Sequence, residues 1–295
     1  MSTPELQTPV MVGEGAATSI DQQPGQAVRG RVPRKVWVGV GIVSLFAIVA
    51  VFAPVLAPED PNQQDVAARL QPPGSDGHLL GTDQLGRDEL SRLIYATRVD
   101  LPVAILAVLF PALLGTALGS IAGYRGGVAD SALSGVASVV QSFPIYIFLI
   151  AVVFALGAGI GSVLIAYTAI GWVIYARLIR GEILRIRGLE YVQAAEAAGI
   201  SRGRVLLRHI MPNAIKQTYV YASSDVVLAM VGFATLSYFG LGIQPPTAEW
   251  GSMIADGQEY LRTEPYLSVL PGFAIMLLGT GFALIGDGLD DYLRR

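Results

Sequence analysis

Hydrophobic and polar residues fall along this chain in blocks, not in alternating positions. Six apolar runs are legible, at about 36–57, 101–124, 131–156, 160–179, 219–241 and 267–285. Each is close to the ~20 residues a helix needs to cross a hydrocarbon core. The pattern predicts an all-α, polytopic membrane protein with six transmembrane helices. The first run is too long for a signal-peptide core and has no cleavage pattern, so it reads as a retained helix. Residues 1–35 have no such run and are rich in Gln, Thr, Pro and Gly, the composition of a disordered tail. Three parts follow: a tail at 1–35, a first transmembrane helix with an outer segment at 36–100, and a core at 101–295.

Two polar stretches interrupt the apolar pattern. In the first, Gly81, Thr82, Asp83, Gly86, Arg87 and Asp88 precede apolar residues at Leu90, Leu93, Ile94 and Leu101. That spacing predicts an amphipathic helix lying along a membrane face and leading into the second span. The second stretch, 189–213, is basic and helix-prone. Its Ala, Gln and Glu residues favour a helix to about 198. Gly199 can adopt a positive φ and end it. Ser201 is suited to cap a second helix over 202–210, and Pro212 is expected to break that helix.

Composition agrees. The 295 residues are 53% hydrophobic and 15% charged, with mean hydropathy +0.53, whereas soluble domains carry about 25% charged residues. There is no cysteine, so neither disulfides nor thiol chemistry enter. Charge sets the orientation. With both termini in the cytoplasm, fifteen of the 20 basic residues lie inside, and the outer segments hold five arginines against twelve acids. This is the positive-inside arrangement, and it places 189–213 in the cytoplasm.

Gly115, Gly119 and Gly123 recur every four residues and predict a close helix contact. Polar groups inside spans are few. Gln141, near the middle of the third, and Asp225, in the inner part of the fifth, either line a pathway or are satisfied locally. For Asp225 the local partner is the headgroup region, and for Gln141 it is a neighbouring helix. No P-loop occurs, so the chain has no ATP site of its own. His78 and His209 are expected on opposite sides of the bilayer, so no metal site is expected. His78 reads as a solvated surface residue.

The stretch 189–213 resembles the coupling loop of importers driven by the ATP-binding cassette (ABC). Aligned on Gly199 and Pro212, the family's Glu-Ala-Ala falls on Gln193, Ala194 and Ala195, and its Ile and Leu positions hold His209 and Met211. A literal Glu-Ala-Ala, Glu196 to Ala198, sits three residues later. The outer stretch, Gly81-Thr82-Asp83 then Gly86-Arg87-Asp88, resembles the C-type permease subunit of dipeptide, oligopeptide and nickel importers. Leu236 to Gly242, Trp250-Gly251, Pro271-Gly272 and Gly286-Asp287 agree with it. Phe233 stands where that family usually has Glu, and Asp290 where it has Arg.

The resemblance implies a type I ABC importer permease fold with a cytoplasmic coupling helix, in a bacterial inner membrane. The chain would move short peptides without being an enzyme. ATP and Mg would belong to cytoplasmic P-loop ATPase subunits. The other partners would be a second homologous permease, an extracytoplasmic solute-binding protein and the lipid bilayer, with no nucleic acid. Gln193, Ala194, Ala195, Gly199, His209, Met211 and Pro212 would contact the ATPase. Gly81, Thr82, Asp83, Gly86, Arg87, Asp88 and Trp250 would serve binding-protein docking or the outer gate, and Gln141, Asp225 and Phe233 the path. A nickel or other importer, a secondary transporter driven by an ion gradient, and a non-transporting scaffold are the alternatives.

Overall fold

The structure, a computed structural model, describes residues 32–293. The expected tail therefore lies largely outside the described residues. Ten α-helices follow in order. They are α1 (Arg34–Leu56), α2 (Glu89–Arg125), α3 (Gly127–Gln141), α4 (Ile145–Leu156), α5 (Ile160–Arg187), α6 (Glu190–Ala197), α7 (Arg202–Val205), α8 (Met211–Tyr238), α9 (Trp250–Gly257) and α10 (Tyr266–Leu293). A π-helical stretch, Leu206–Ile210, joins α7 to α8. Five helices are long and apolar enough to cross a membrane, and a sixth span exists if α3 and α4 cross as one.

Three expectations need correction. The run at 131–156 is not one straight helix, because α3 and α4 meet at 86°. Pro144 caps α4 with an extended ψ of 129°, and proline biases the residue before it away from helix. The polar stretch after Gly86 is not a separate helix. It forms the first turns of α2, whose 37 residues measure ~55 Å at 1.5 Å each. Ser91, Arg92, Thr97 and Asp100 are buried there against protein. Finally, Pro212 does not break the chain's course. The helix runs from Arg202 to Tyr238, and Met211 N–H donates to the Leu206 carbonyl, five residues back. A π turn of this kind absorbs the donor and space that a proline removes.

The central contact is α2 against α5. A Cβ on Gly115 would overlap the Trp172 carbonyl, and one on Gly119 the Ala176 carbonyl, so the two backbones touch where the glycine spacing predicted. Around this pair lies one core containing Leu149, Tyr175, Phe233, Leu236, Trp250 and Leu278. A second core, toward the C-terminal end of α2, contains Tyr124, Ile183, Val192, Val205 and Ile210.

Gly119→Val forces overpacking, which costs about 1–3 kcal/mol, and should lower the thermal midpoint of the purified protein. Gly135→Ala, with no atom within 4 Å of the new Cβ, should leave it unchanged or slightly higher.

Candidate coupling loop and buried outer segment

The C-terminal end of α2 and the loop 188–213 form one end of the bundle. Ala-rich α6 ends at a Schellman turn. Gly199 has φ +78°, its N–H donates to Glu196 O at 3.0 Å, and Ile200 N–H donates to Ala195 O at 3.3 Å. Both bonds satisfy carbonyls the helix end leaves open. Val192 and Ala195 turn inward onto the second core, while Gln193, Ala194, Glu196, Ala197, Ala198 and Gly199 are exposed. The outward face is therefore made of small side chains, with Gln193 donating to its own Gly188 carbonyl at 3.3 Å. Ser201 makes no side-chain cap.

The remaining loop residues divide between support and surface. The His209 carbonyl accepts from Tyr191 Oη and Asn213 Nδ2, both at 3.4 Å, while its buried Nδ1 has no partner. Met211 receives Ser120 Oγ at 3.3 Å. Pro212 is exposed.

Sequence reasoning missed the link that ties this loop to the spans. Tyr124 Oη, on the last turn of α2, donates to Glu196 Oε1 at 2.9 Å. Arg187, at the end of α5, donates to the Tyr124 carbonyl at 3.2 Å. Its guanidinium stacks 5.7 Å from the Tyr124 ring. The displaced Glu-Ala-Ala thus supplies an internal anchor. An aromatic and an arginine at adjoining helix ends were the available signal.

At the opposite end, residues 57–88 and α9 cover the start of α2. The polar stretch 81–88 is buried here. Thr82, Asp83, Arg87 and Asp88 are all at most 3% exposed. Asp83 Oδ1 accepts from Leu85 N and Arg87 N, and Oδ2 accepts from Arg87 Nε at 2.6 Å, with Arg92 Nε at 3.6 Å. Arg87 also reaches Asp256 at 3.4 Å. Asp88 caps α2 through Ser91 N at 2.8 Å and holds His78 Nδ1 at 3.0 Å. His78 is therefore a buried partner, not the solvated residue expected. Thr82 Oγ1 donates to the Ala68 carbonyl and accepts from Gln71 N. Tyr266 Oη on α10 donates to the Gln71 and Thr82 carbonyls. Gly81 and Gly86 turn the backbone with φ +80° and +72°. These side chains brace the segment from within.

Trp250 is fully buried, its indole N–H donating to the Leu93 carbonyl at 3.3 Å and its backbone N–H to Asp100 Oδ2 at 3.1 Å. Glu249 caps α9 through Gly251 N at 2.7 Å and Ser252 N at 2.8 Å. Its carboxyl lies beside that of Asp100, which holds Trp250 N–H.

The three residues expected along a path are not brought together. Gln141 ends α3, at the break between α3 and α4, and accepts from Arg177 on α5. Asp225 accepts from Tyr175 Oη at 2.8 Å. Phe233 is packed in the main core. An open apolar groove of about 870 Å³ runs instead between α2, α8 and α10, lined by Leu113, Ser120, Leu207, Met211, Thr218 and Phe282 among others.

Burial raises the Glu249 pKa above its ordinary 4.5, against the lowering effect of its backbone donors. A carboxyl raised by folding adds stability that is whole below the unfolded pKa and is lost as pH rises through the folded one. The thermal midpoint should therefore fall as pH climbs above the ordinary glutamate range. Asp100→Asn keeps an acceptor for Trp250 N and removes the neighbouring carboxyl, so it should flatten that alkaline loss; an unchanged pH profile would contradict a role for the carboxyl pair.

Residues 115–295 match the family model described as binding-protein-dependent transport system inner membrane component. Residues 34–73 match the N-terminal TM domain of oligopeptide transport permease C. A dipeptide transport system permease of Alkalihalophilus pseudofirmus is 37% identical, over 87% of this chain and 84% of that protein. A nickel transport system permease of Escherichia coli K12 is 38% identical, over 85% and 91%. A glutathione transport system permease of Pectobacterium atrosepticum is 36% identical, over 85% and 83%. A crystal structure of an amino acid ABC transporter with histidines shares the fold, with TM-score 0.53 at 17% identity, over 70% of this chain and 94% of that one. The chain belongs to the binding-protein-dependent transport system inner membrane components, as an ABC importer permease of the type found in peptide, nickel and glutathione systems.

Proposed function

We propose that this permease moves short peptides inward, and that the loop 188–213 is where a partner ATPase drives it. The exposed small-residue face of α6 carries the reading: Ala194, Ala197, Ala198 and Gly199 leave room for a groove to close over the helix. Gln193, Ala194, Ala195, Gly199, His209, Met211 and Pro212 shape the part that the ATPase grips. ATP and Mg belong to that partner. The chain sits in the bacterial inner membrane with both termini and this loop in the cytoplasm. The braced segment with Gly81, Thr82, Asp83, Gly86, Arg87 and Asp88, together with α9 behind Trp250, faces outward toward the solute-binding protein. A second homologous permease completes the path.

The match of 34–73 to an oligopeptide permease domain supports peptides as the solute. An apolar groove between the spans suits a solute whose side chains vary. ATP binding closes the ATPase dimer, the loop follows, and the helices pass from inward-open to outward-open; hydrolysis resets them. The equally similar nickel permease brings a nickel chelate as the second reading. Uptake of labelled dipeptide and of chelated Ni²⁺ by the reconstituted assembly, with its binding protein, decides between them. ATP-dependent peptide accumulation supports the proposal, and nickel accumulation alone overturns it.

Gly199→Pro and Gly199→Trp should abolish uptake and solute-stimulated ATPase activity while membrane insertion persists. Tyr124→Phe removes the donor to Glu196, a loss of ~1 kcal/mol for one hydrogen bond. It should cut solute moved per ATP hydrolysed by about fivefold, with basal ATPase activity kept.

A further inference from the structure

A polar recess of about 330 Å³ opens at the end of the bundle that the proposed orientation places outside. Asp60, Asn62, Tyr95, Arg98 and Thr247 form its polar lining, over Pro61, Val99 and Ala248. Its walls are fixed by buried polar bonds. Arg92 Nη1 donates to the Pro61 carbonyl at 3.3 Å, and Glu59 N–H donates to Ser91 Oγ at 3.0 Å, pinning the 59–62 wall to α2. The opposite wall, through Ala248 and Glu249, is held by the α9 cap and by Trp250 N–H on Asp100.

The charges inside the recess are unlike their neighbours. Arg87 and Arg92 are buried in ion pairs. Arg98, two turns further along α2, is exposed and makes no ion pair among the described residues. Its guanidinium lies 5.8 Å from the centre of the Tyr95 ring, a contact that orients the group without neutralising it. The Asp60 carboxylate accepts from the Asn62 backbone N–H, at 2.8 Å, and likewise has no ion pair among the described residues. A preorganised recess thus presents one free guanidinium and one free carboxylate.

We propose that this recess is an entry subsite for the zwitterionic backbone of a short peptide. Arg98 takes the α-carboxylate and Asp60 the α-ammonium. A planar guanidinium binds a carboxylate through two parallel hydrogen bonds. The volume lies at the lower limit of ligand sites, ~300–1,000 Å³, so it holds a di- or tripeptide and not a longer chain. The inference rests on the peptide reading above.

The test is the uptake rate in reconstituted assemblies at saturating liganded binding protein, with a free tripeptide and its C-terminally amidated form. Wild type should move the free peptide about tenfold faster, the equivalent of one charge-assisted hydrogen bond. Arg98→Gln should erase that preference while leaving the amidated peptide's rate unchanged. Asp60→Asn should do the same for the free against the N-acetylated peptide. Retention of both preferences in these variants overturns the subsite. So does an equal slowing of all peptides with more binding protein needed for half-maximal rate, because that marks Arg98 as a docking contact. If wild type moves no peptide at all, the peptide reading fails first and the subsite with it.

Discussion

The rest of the structure hangs on the contact of two backbones. Gly115 and Gly119 let α2 lie directly on the carbonyls of Trp172 and Ala176 in α5. Lipid is as apolar as leucine, so apolar burial alone does not drive such a contact in a membrane. Close packing supplies dispersion along the whole pair, and only residues without a Cβ permit it. The pairing makes α2 a 37-residue shaft supported along its middle, with both ends free to be fastened to something else.

Each end is fastened by polar chemistry suited to its setting. At the 57–88 end the fastening is buried and ionic: Asp83 between Arg87 and Arg92, and Asp88 between His78 and the first turn of α2. Breaking a buried ion pair by removing one partner costs about 3–5 kcal/mol, so this end behaves as a fixed block. At the loop end it is a tyrosine hydroxyl on an exposed glutamate, with an arginine behind it. That fastening is weaker and closer to solvent, as a joint must be if a partner is to move it.

What the sequence reveals follows from the range of the forces involved. Five of the six helix-scale apolar runs, the glycine repeat and the Gly199 turn are local patterns, and these are found where they were read. The bend at Ser142–Pro144 and the passage of α8 through Pro212 turn on whether the backbone can re-register around a proline. In one place the chain bends by 86°, and in the other a π turn absorbs the fault; the residue type is the same. The burial of Arg87, Arg92 and His78 was hidden because their partners are brought in by the tertiary fold, as with Asp256, 169 positions from Arg87. Tyr124 and Glu196, 72 positions apart, were hidden for the same reason. The polar stretch 81–88 was recognisable as a signature, but its role as an internal brace is a statement about burial, which a sequence motif does not contain.

These features suit the drive proposed above for a chain without an ATP site of its own. A push on α6 would reach Tyr124 through Glu196, and α5 through Arg187 and the packed Val192 and Ala195. Because α2 and α5 touch by their backbones, neither can slide on the other without overlap at Gly115 and Gly119, so the pair moves as one body. Packed interfaces switch between discrete arrangements instead of deforming continuously. The far end of that body carries Asp100, whose carboxyl accepts from Trp250 N–H and so holds α9. The recess lies between those elements, with Arg98 two residues before Asp100 along α2. In the proposed coupling, a displacement begun at the loop would be carried to the recess's walls by this packed pair. The connection would rest on rigidity, and the glycines that create the rigidity are the cheapest residues in the chain to overlook.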